Sequence, residues 1–261
     1  NAFRSPSGRT DYKRGLTVLH ILGVDLAWGN KNPDGVCSIS IKNGKARLEH
    51  IGLSKGDSQL TEWIQNYVDQ GSVLAMFDAP LICRNKTGSR PVDRASHRLF
   101  GKYKAGCYPV NQQLCKRPLK ISDQLKRDGF RIDWEIAFSR KRYLKACEVY
   151  PHVALIRWFD LPERIKYKKG NLAQKNRGFS ELKSLLFNAL DSRFFAVDNL
   201  HLIQSLFDQA WSKNNEDQVD ALICALIGYW HWKYQGELTE IIGDLDTGFI
   251  VIPKSHTTSM T

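Results

Sequence analysis

The sequence predicts an α/β protein built on a mixed five-stranded sheet with helices on its faces, and three observations carry that prediction. The first three strand-like segments are joined by a turn and a hairpin signal, so they pair antiparallel. Two further apolar strands come only after longer intervening segments, so they join the sheet by crossovers. Helical stretches then fill the rest of the chain up to a small hairpin, with no internal repeat.

Val18 to Ala27 is a nearly continuous apolar run, the pattern of a strand covered on both faces. Asn32-Pro-Asp-Gly35 is a turn, and Val36 to Lys42 alternates as a second strand. Asn43-Gly44 marks a tight hairpin, from which Lys45 to Leu53 returns as the third. Asp57 or Ser58 caps a helix whose apolar side is Leu60, Trp63, Ile64, Tyr67 and Val68, and Gly71 is expected to end it. Val73 to Phe77 is a fourth strand, halted by Asp78-Ala-Pro80. Residues 84–142 read as a basic insertion with short helices at 91–99 and 121–128, too poor in apolar residues for a core of its own. The fifth strand is Tyr143 to Val149. Pro151 opens a helix that carries an amphipathic stretch from Val153 to Phe159, Lys166 to Arg177 is a basic loop, and helices cover Ser180–Leu190, Leu200–Trp211 and Glu216–Tyr234. Leu238–Ile242 and Gly248–Ile252 form the hairpin. The expected strand order is 3-2-1-4-5, with strands one and four adjacent and parallel, which is the topology of the RNase H-like fold.

The 261 residues suit one elaborated domain over 16–261, preceded by a leader at 1–15 with no apolar signal core. Apolar residues at 42% and charged residues at 25% exclude a disordered or collagen-like chain. No run reaches the roughly 18–20 apolar residues that span a bilayer, so no membrane partner is expected and a cytoplasmic location is the default. Six cysteines form no C-x-x-C pair and no zinc set, and read as reduced thiols. The net charge of +11 is concentrated: residues 84–145 hold 17 Lys/Arg against 5 Asp/Glu, leaving 21 against 22 elsewhere. Such a field suits a polyanion, nucleic acid above all, because neutralised phosphates release counterions; a solvated Lys-rich insertion is the competing reading.

Acidic residues fall at element ends. Asp25 closes the first strand, Asp78 the fourth and Glu148 the fifth, while Asp217 and Asp220 share one face of the last long helix. An unpaired carboxylate beside a buried strand is costly, and a divalent cation, Mg²⁺ or Mn²⁺, is a natural partner for several of them. Singly, each acid could as well cap a turn or complement a helix dipole. Together they come from four elements that converge on one end of the sheet, where α/β folds place ligands.

The set Gly23-Val-Asp-Leu-Ala27, Asp78-Ala-Pro-Leu81, Glu148-Val-Tyr-Pro151, Asp217-Gln-Val-Asp-Ala-Leu222 and Gly243-Asp-Leu-Asp-Thr-Gly-Phe-Ile250 resembles domain-of-unknown-function family 429, whose members are regarded as predicted nucleases of the RNase H-like superfamily. The Asp-x-x-Asp-Ala-Leu helix is similar to that of the Holliday-junction resolvases. The resemblance spans about residues 20 to 253. It implies a metal-dependent nuclease in which Asp25, Asp78, Asp217 and Asp220 hold the metal, with Glu148 a further catalytic candidate at the family's glutamate position.

Arg90, Arg94 and Arg98 recur every fourth residue and suggest a helical face that grips phosphates. Lys102, Lys104 and Lys116-Arg117 interleave cations with Tyr108 as a single-strand stacking surface does, and Lys168-Lys169-Gly170 with Arg177 suggest a second basic rim near strand five. His97 and His152 lie nearest the expected cleft, but neither reads as a proton shuttle. Two other functions compete with a nuclease. One is a non-catalytic nucleic-acid-binding module on the same fold. The other, an actin-like phosphotransferase, ranks last, because the turn after Asp25 holds one glycine where such enzymes need glycine-rich phosphate loops.

Overall fold

Strands whose alternate side chains are all apolar must be covered on both faces, and that requirement organises the protein. The computed structural model describes residues 18–29, 31–136, 142–191 and 194–255; the expected leader lies outside them. Its elements are β1 (Val18–Asp25), β2 (Asp34–Lys42), β3 (Lys45–Ser54), α1 (Gly56–Val68), β4 (Gly71–Phe77), α2 (Pro91–Phe100), α3 (Lys116–Arg127), β5 (Arg131–Ile132), β6 (Leu144–Glu148), α4 (Pro151–Phe159), α5 (Leu172–Asp191), β7 (Val197–Asp198), α6 (His201–Phe207), α7 (Lys213–Lys233), β8 (Thr239–Asp244) and β9 (Gly248–Pro253).

The main sheet has seven strands, not five, in the order β5-β6-β4-β1-β2-β3-β7, and β8 and β9 form a separate antiparallel pair. Within the main sheet, β2 alone runs against the others. The two unexpected strands are two residues long, too short to show any period in sequence.

Ile21, Leu74 and Met76 point to the face that carries α4 to α7. Leu22, Val24, Val73, Ala75 and Phe77 point to the other, covered by Leu60 and Ile64 of α1 and Ile121 and Leu125 of α3. The basic segment therefore shares the core of the sheet. Its helix α2 packs Val92 and Phe100 with Val153 and Ile156 of α4 and with Ile242, Ile250 and Ile252 of the hairpin. At roughly 1.5–3 kcal/mol for each large apolar side chain fully buried, these contacts dominate the fold's stability.

Helix α7 sits against the sheet at backbone distance. A methyl on Gly23 of β1 would collide with the Ala221 carbonyl and the Ala225 amide, and one on Gly228 would lie 2.6 Å from Met76 and 2.7 Å from Ile21. The glycines fix the height of α7 over β1.

Several boundaries differ from expectation. Gly71 opens β4, where its Cα lies against the Val18 carbonyl, while α1 has already ended at Val68. Helix α3 starts at Lys116, earlier than 121. Much of the expected basic loop is the first part of α5, because Asn171 and Gln174 cap each other: Gln174 N–H donates to the Asn171 side chain and Asn171 N–H to the Gln174 side chain, both at 2.9 Å. Helix α6 ends early, at Phe207.

Candidate active site

Because β1 and β4 are parallel neighbours, their carboxyl ends finish side by side, with Val24 opposite Phe77. The Asp78 N–H donates to the Val24 carbonyl at 2.9 Å, which places Asp78 next to Asp25. Strand β6 continues the row, with Glu148 opposite Phe77. Gly35 faces Asp25 from β2, and its missing side chain lets the Asp217 backbone carbonyl rest directly on it. The Ser212 hydroxyl caps α7 by accepting the Asn215 N–H at 3.1 Å, so the helix begins just before the turns that bear Asp217 and Asp220.

Three of these carboxylates, Asp25, Asp78 and Asp220, surround one ammonium group. Lys168 pairs with Asp220 and lies 3.9 Å from an Asp78 oxygen. The Tyr167 hydroxyl donates to the other Asp220 oxygen at 2.6 Å. Asp217 takes the Lys213 ammonium at 2.5 Å, and Lys213 also reaches Glu216 at 2.8 Å.

Burial and mutual repulsion disfavour the charged forms of Asp25, Asp78 and Asp220. The Asp25 carboxyl is raised well above the ordinary range by burial and by the charges of Asp220, Asp78 and Asp217, with Lys168 opposing. Asp78 is pushed up to about 7, again by burial first, with Asp220 and Glu148 adding to it and Lys168 countering. Burial also raises Asp220, although Lys168 and the Tyr167 hydroxyl favour its charged form. Burial would lower the Lys168 ammonium, but Asp220, Asp25 and Asp78 around it hold its pKa well above the usual lysine value. The end of the sheet thus carries more negative charge than its own cation relieves.

Among the described residues, no three His, Cys, Asp or Glu side chains are placed to hold a metal ion in this arrangement. The donor set suits a hard divalent cation in kind, since it is all carboxylate oxygen and short of positive charge, but the cation it holds is the Lys168 ammonium. Lys168 is therefore part of the acidic cluster, a correction to its expected place on a basic rim.

Two more expectations are revised. Arg90 is buried, 2% exposed, and makes no phosphate-facing surface. Its guanidinium holds both Glu148 oxygens, at 2.7 and 2.6 Å, and also reaches Asp93 at 2.8 Å and the Ile82 carbonyl at 2.9 Å. Glu148 is accordingly turned to Arg90, where it ties β6 to α2. Its carboxyl remains raised, chiefly by burial, with Arg90 opposing.

Arg94 and Arg98 are exposed on α2, and Lys102 and Lys169 are exposed as well. Lys104 is paired with Glu163. His97 is exposed, whereas the buried His152 imidazole is pushed well below its ordinary pKa by burial and by the charges of Lys168, Arg164 and Lys169, so it stays neutral.

Sequence reasoning missed Tyr167, Lys213 and the Asp34–Arg117 pair. Arg117 grips both Asp34 oxygens at 2.7 Å and Asp57 at 2.8 Å, joining α3 to the foot of β2 and the start of α1. No signal in the sequence tells Arg117 from its solvated neighbour Lys116. Lys213 did leave one: it lies three and four residues before Glu216 and Asp217 on a helix.

A family model described as "Protein of unknown function (DUF429)" matches residues 23–247, and the chain belongs to that family. Comparison with curated proteins and with solved structures found no match.

Proposed function

We propose that this member of family 429 is a metal-dependent nuclease of the RNase H-like superfamily, hydrolysing phosphodiester bonds at the Asp25 end of the sheet. The observation that carries the reading is the convergence of Asp25, Asp78 and Asp220 from β1, β4 and α7 around one cation, with their negative charge incompletely relieved. The order β3-β2-β1-β4-β6, with β2 alone reversed, supports the superfamily assignment.

Asp25, Asp78, Asp217 and Asp220 are the residues to hold Mg²⁺ or Mn²⁺. A divalent ion there supplies Lewis-acid stabilisation of the charge that builds up on a phosphate under attack. The protein's own groups position the donors. Tyr167 orients Asp220, Gly35 brings α7 down to Asp25, and the Arg90–Glu148–Asp93 network fixes the neighbouring strand end. Lys168 keeps Asp220 and Asp78 together.

The test is to incubate the protein with single-stranded, double-stranded and branched nucleic acids in Mg²⁺ and in Mn²⁺. Cleavage that disappears in Asp25→Asn is expected. Absence of cleavage across the panel, or cleavage that survives the substitution, rejects the reading. A second reading, a non-catalytic nucleic-acid-binding module, is favoured by one observation: the Lys168 ammonium already paired with Asp220. It predicts binding without turnover and without dependence on Asp25.

A further inference from the structure

Trp28 and Tyr108 stand against each other at the surface, ring centroids 6.5 Å apart and planes at 77°. They are 37% and 72% exposed, large rings in water in a fold whose other described aromatics are buried or half-buried. Single exposed aromatics are ordinary on protein surfaces. These two come from separate segments eighty residues apart in the chain and meet at the loop that leaves β1 directly after Asp25.

Both are held from below. Trp28 is three residues beyond Asp25, within about 10 Å of it along the chain. Its loop is pinned where the Ala27 N–H donates to Asp34 at 2.8 Å and the Ala27 carbonyl accepts from Arg117. Tyr108 lies between two anchored residues. The Gly106 carbonyl accepts the Tyr150 hydroxyl at 3.3 Å, and the Val110 N–H donates to Asp93 at 3.1 Å. Asp93 in turn holds Arg90, the partner of Glu148. The rings are thus positioned by the same networks that build the end of the sheet.

The surroundings select the ligand. Tyr108 belongs to the segment with 17 basic and 5 acidic residues, and the exposed Lys31, Lys102 and Lys116 flank the two rings in sequence. Interface cores between proteins are depleted of such charge, whereas aromatic faces among cations suit bases on a phosphate backbone. A paired base inside a duplex offers no free face to stack on; an unpaired base does.

We propose that Trp28 and Tyr108 form a stacking platform for an unpaired base next to the acidic cluster, which makes single-stranded nucleic acid the substrate class. The assignment of substrate rests on the nuclease reading; the binding does not.

The test measures binding without cleavage. Fluorescein-labelled oligothymidylate, and the duplex it forms with oligoadenylate, are titrated in EDTA and followed by anisotropy. The single strand is expected to bind at least tenfold more tightly than the duplex. Trp28→Ala and Tyr108→Ala are each expected to weaken single-strand binding roughly 5- to 150-fold, the range for loss of one base stack, with duplex binding little changed and Trp28→Phe retaining most of the affinity. Thermal melts of the variants check that these surface changes leave the fold intact. Equal binding of both forms, no binding of either, or alanine variants that bind the single strand as the wild type does would overturn the platform. So would a wild-type dimer in sedimentation that Trp28→Ala dissolves, which would make the rings a self-association surface. If the platform binds as expected but the wild type cleaves nothing in Mg²⁺ or Mn²⁺, the nuclease reading falls and the platform stands.

Discussion

Gly23 sets the distance between α7 and the sheet, and hence between Asp217, Asp220 and Asp25. A methyl there has no room against the Ala221 carbonyl and the Ala225 amide, both backbone groups that cannot swing aside. Gly23→Ala is expected to lower the unfolding free energy in urea by about 3 kcal/mol or more. Gly29→Ala, which meets open space, should stay within about 0.5 kcal/mol of the wild type. His20 tests a different property. Its ring is buried against Tyr67 with neither nitrogen hydrogen-bonded, and burial lowers its pKa while Glu49 opposes. The unfolded chain binds a proton near pH 6.5 that the folded protein resists, so stability falls as pH drops through that value. Melting curves between pH 7.5 and 5 (values chosen about the free histidine pKa) should show a smaller acid loss in His20→Leu than in the wild type. The acids were legible at this scale because each closes an apolar strand or faces a helix turn. Lys168 and Arg90 were not: in sequence each looks like its solvated neighbours Lys169 and Arg94, and only the packing separates a counter-ion of the carboxylates from a surface cation.

Among the elements, α3 shows how a basic segment can be structural. Arg117 lies on its first turn and is buried against Asp34, which is itself fully enclosed, so removing the guanidinium strands a buried carboxylate. Arg117→Met is expected to cost about 3–5 kcal/mol. It should also speed protease nicking between α2 and α3, read by gel and mass spectrometry, since the clasp to β2 and α1 is lost. The strands and the long helices were readable from periodicity and turn residues. Helix α5 was cut short because Lys175, Asn176, Arg177 and Gly178 resemble loop composition, although Asn171-Leu-Ala-Gln174 carried a capping signal. Gly178 belongs inside the helix because it packs against the Lys166 backbone, a contact that holds the loop bearing Tyr167 and Lys168. A close approach between distant segments leaves no local trace in a sequence.

For the molecule as a whole, the excess positive charge lies in one segment, but part of it is spent internally: Arg90, Arg117 and Lys145 are buried in ion pairs. The field offered to a polyanion is accordingly smaller than the composition suggests. Plotting log affinity for nucleic acid against log salt should give a negative slope, and Arg94→Ala and Arg98→Ala should each reduce its magnitude by about 1. Neutralising Lys42, far along β2 from the acids, should leave it unchanged. No helix among the described residues is long and apolar enough to cross a membrane. The hairpin adds a consequence for synthesis. Gly248 of β9 lies against the Arg90 guanidinium, its Nη1 3.1 Å from where a side chain would begin, and Val251 bridges to Val149 just past Glu148. A nascent chain released only as far as α6 therefore has its sheet threaded but neither Asp217 nor the backing of Arg90. The acidic end is complete only once α7 and β9 have followed the sheet out of the ribosome.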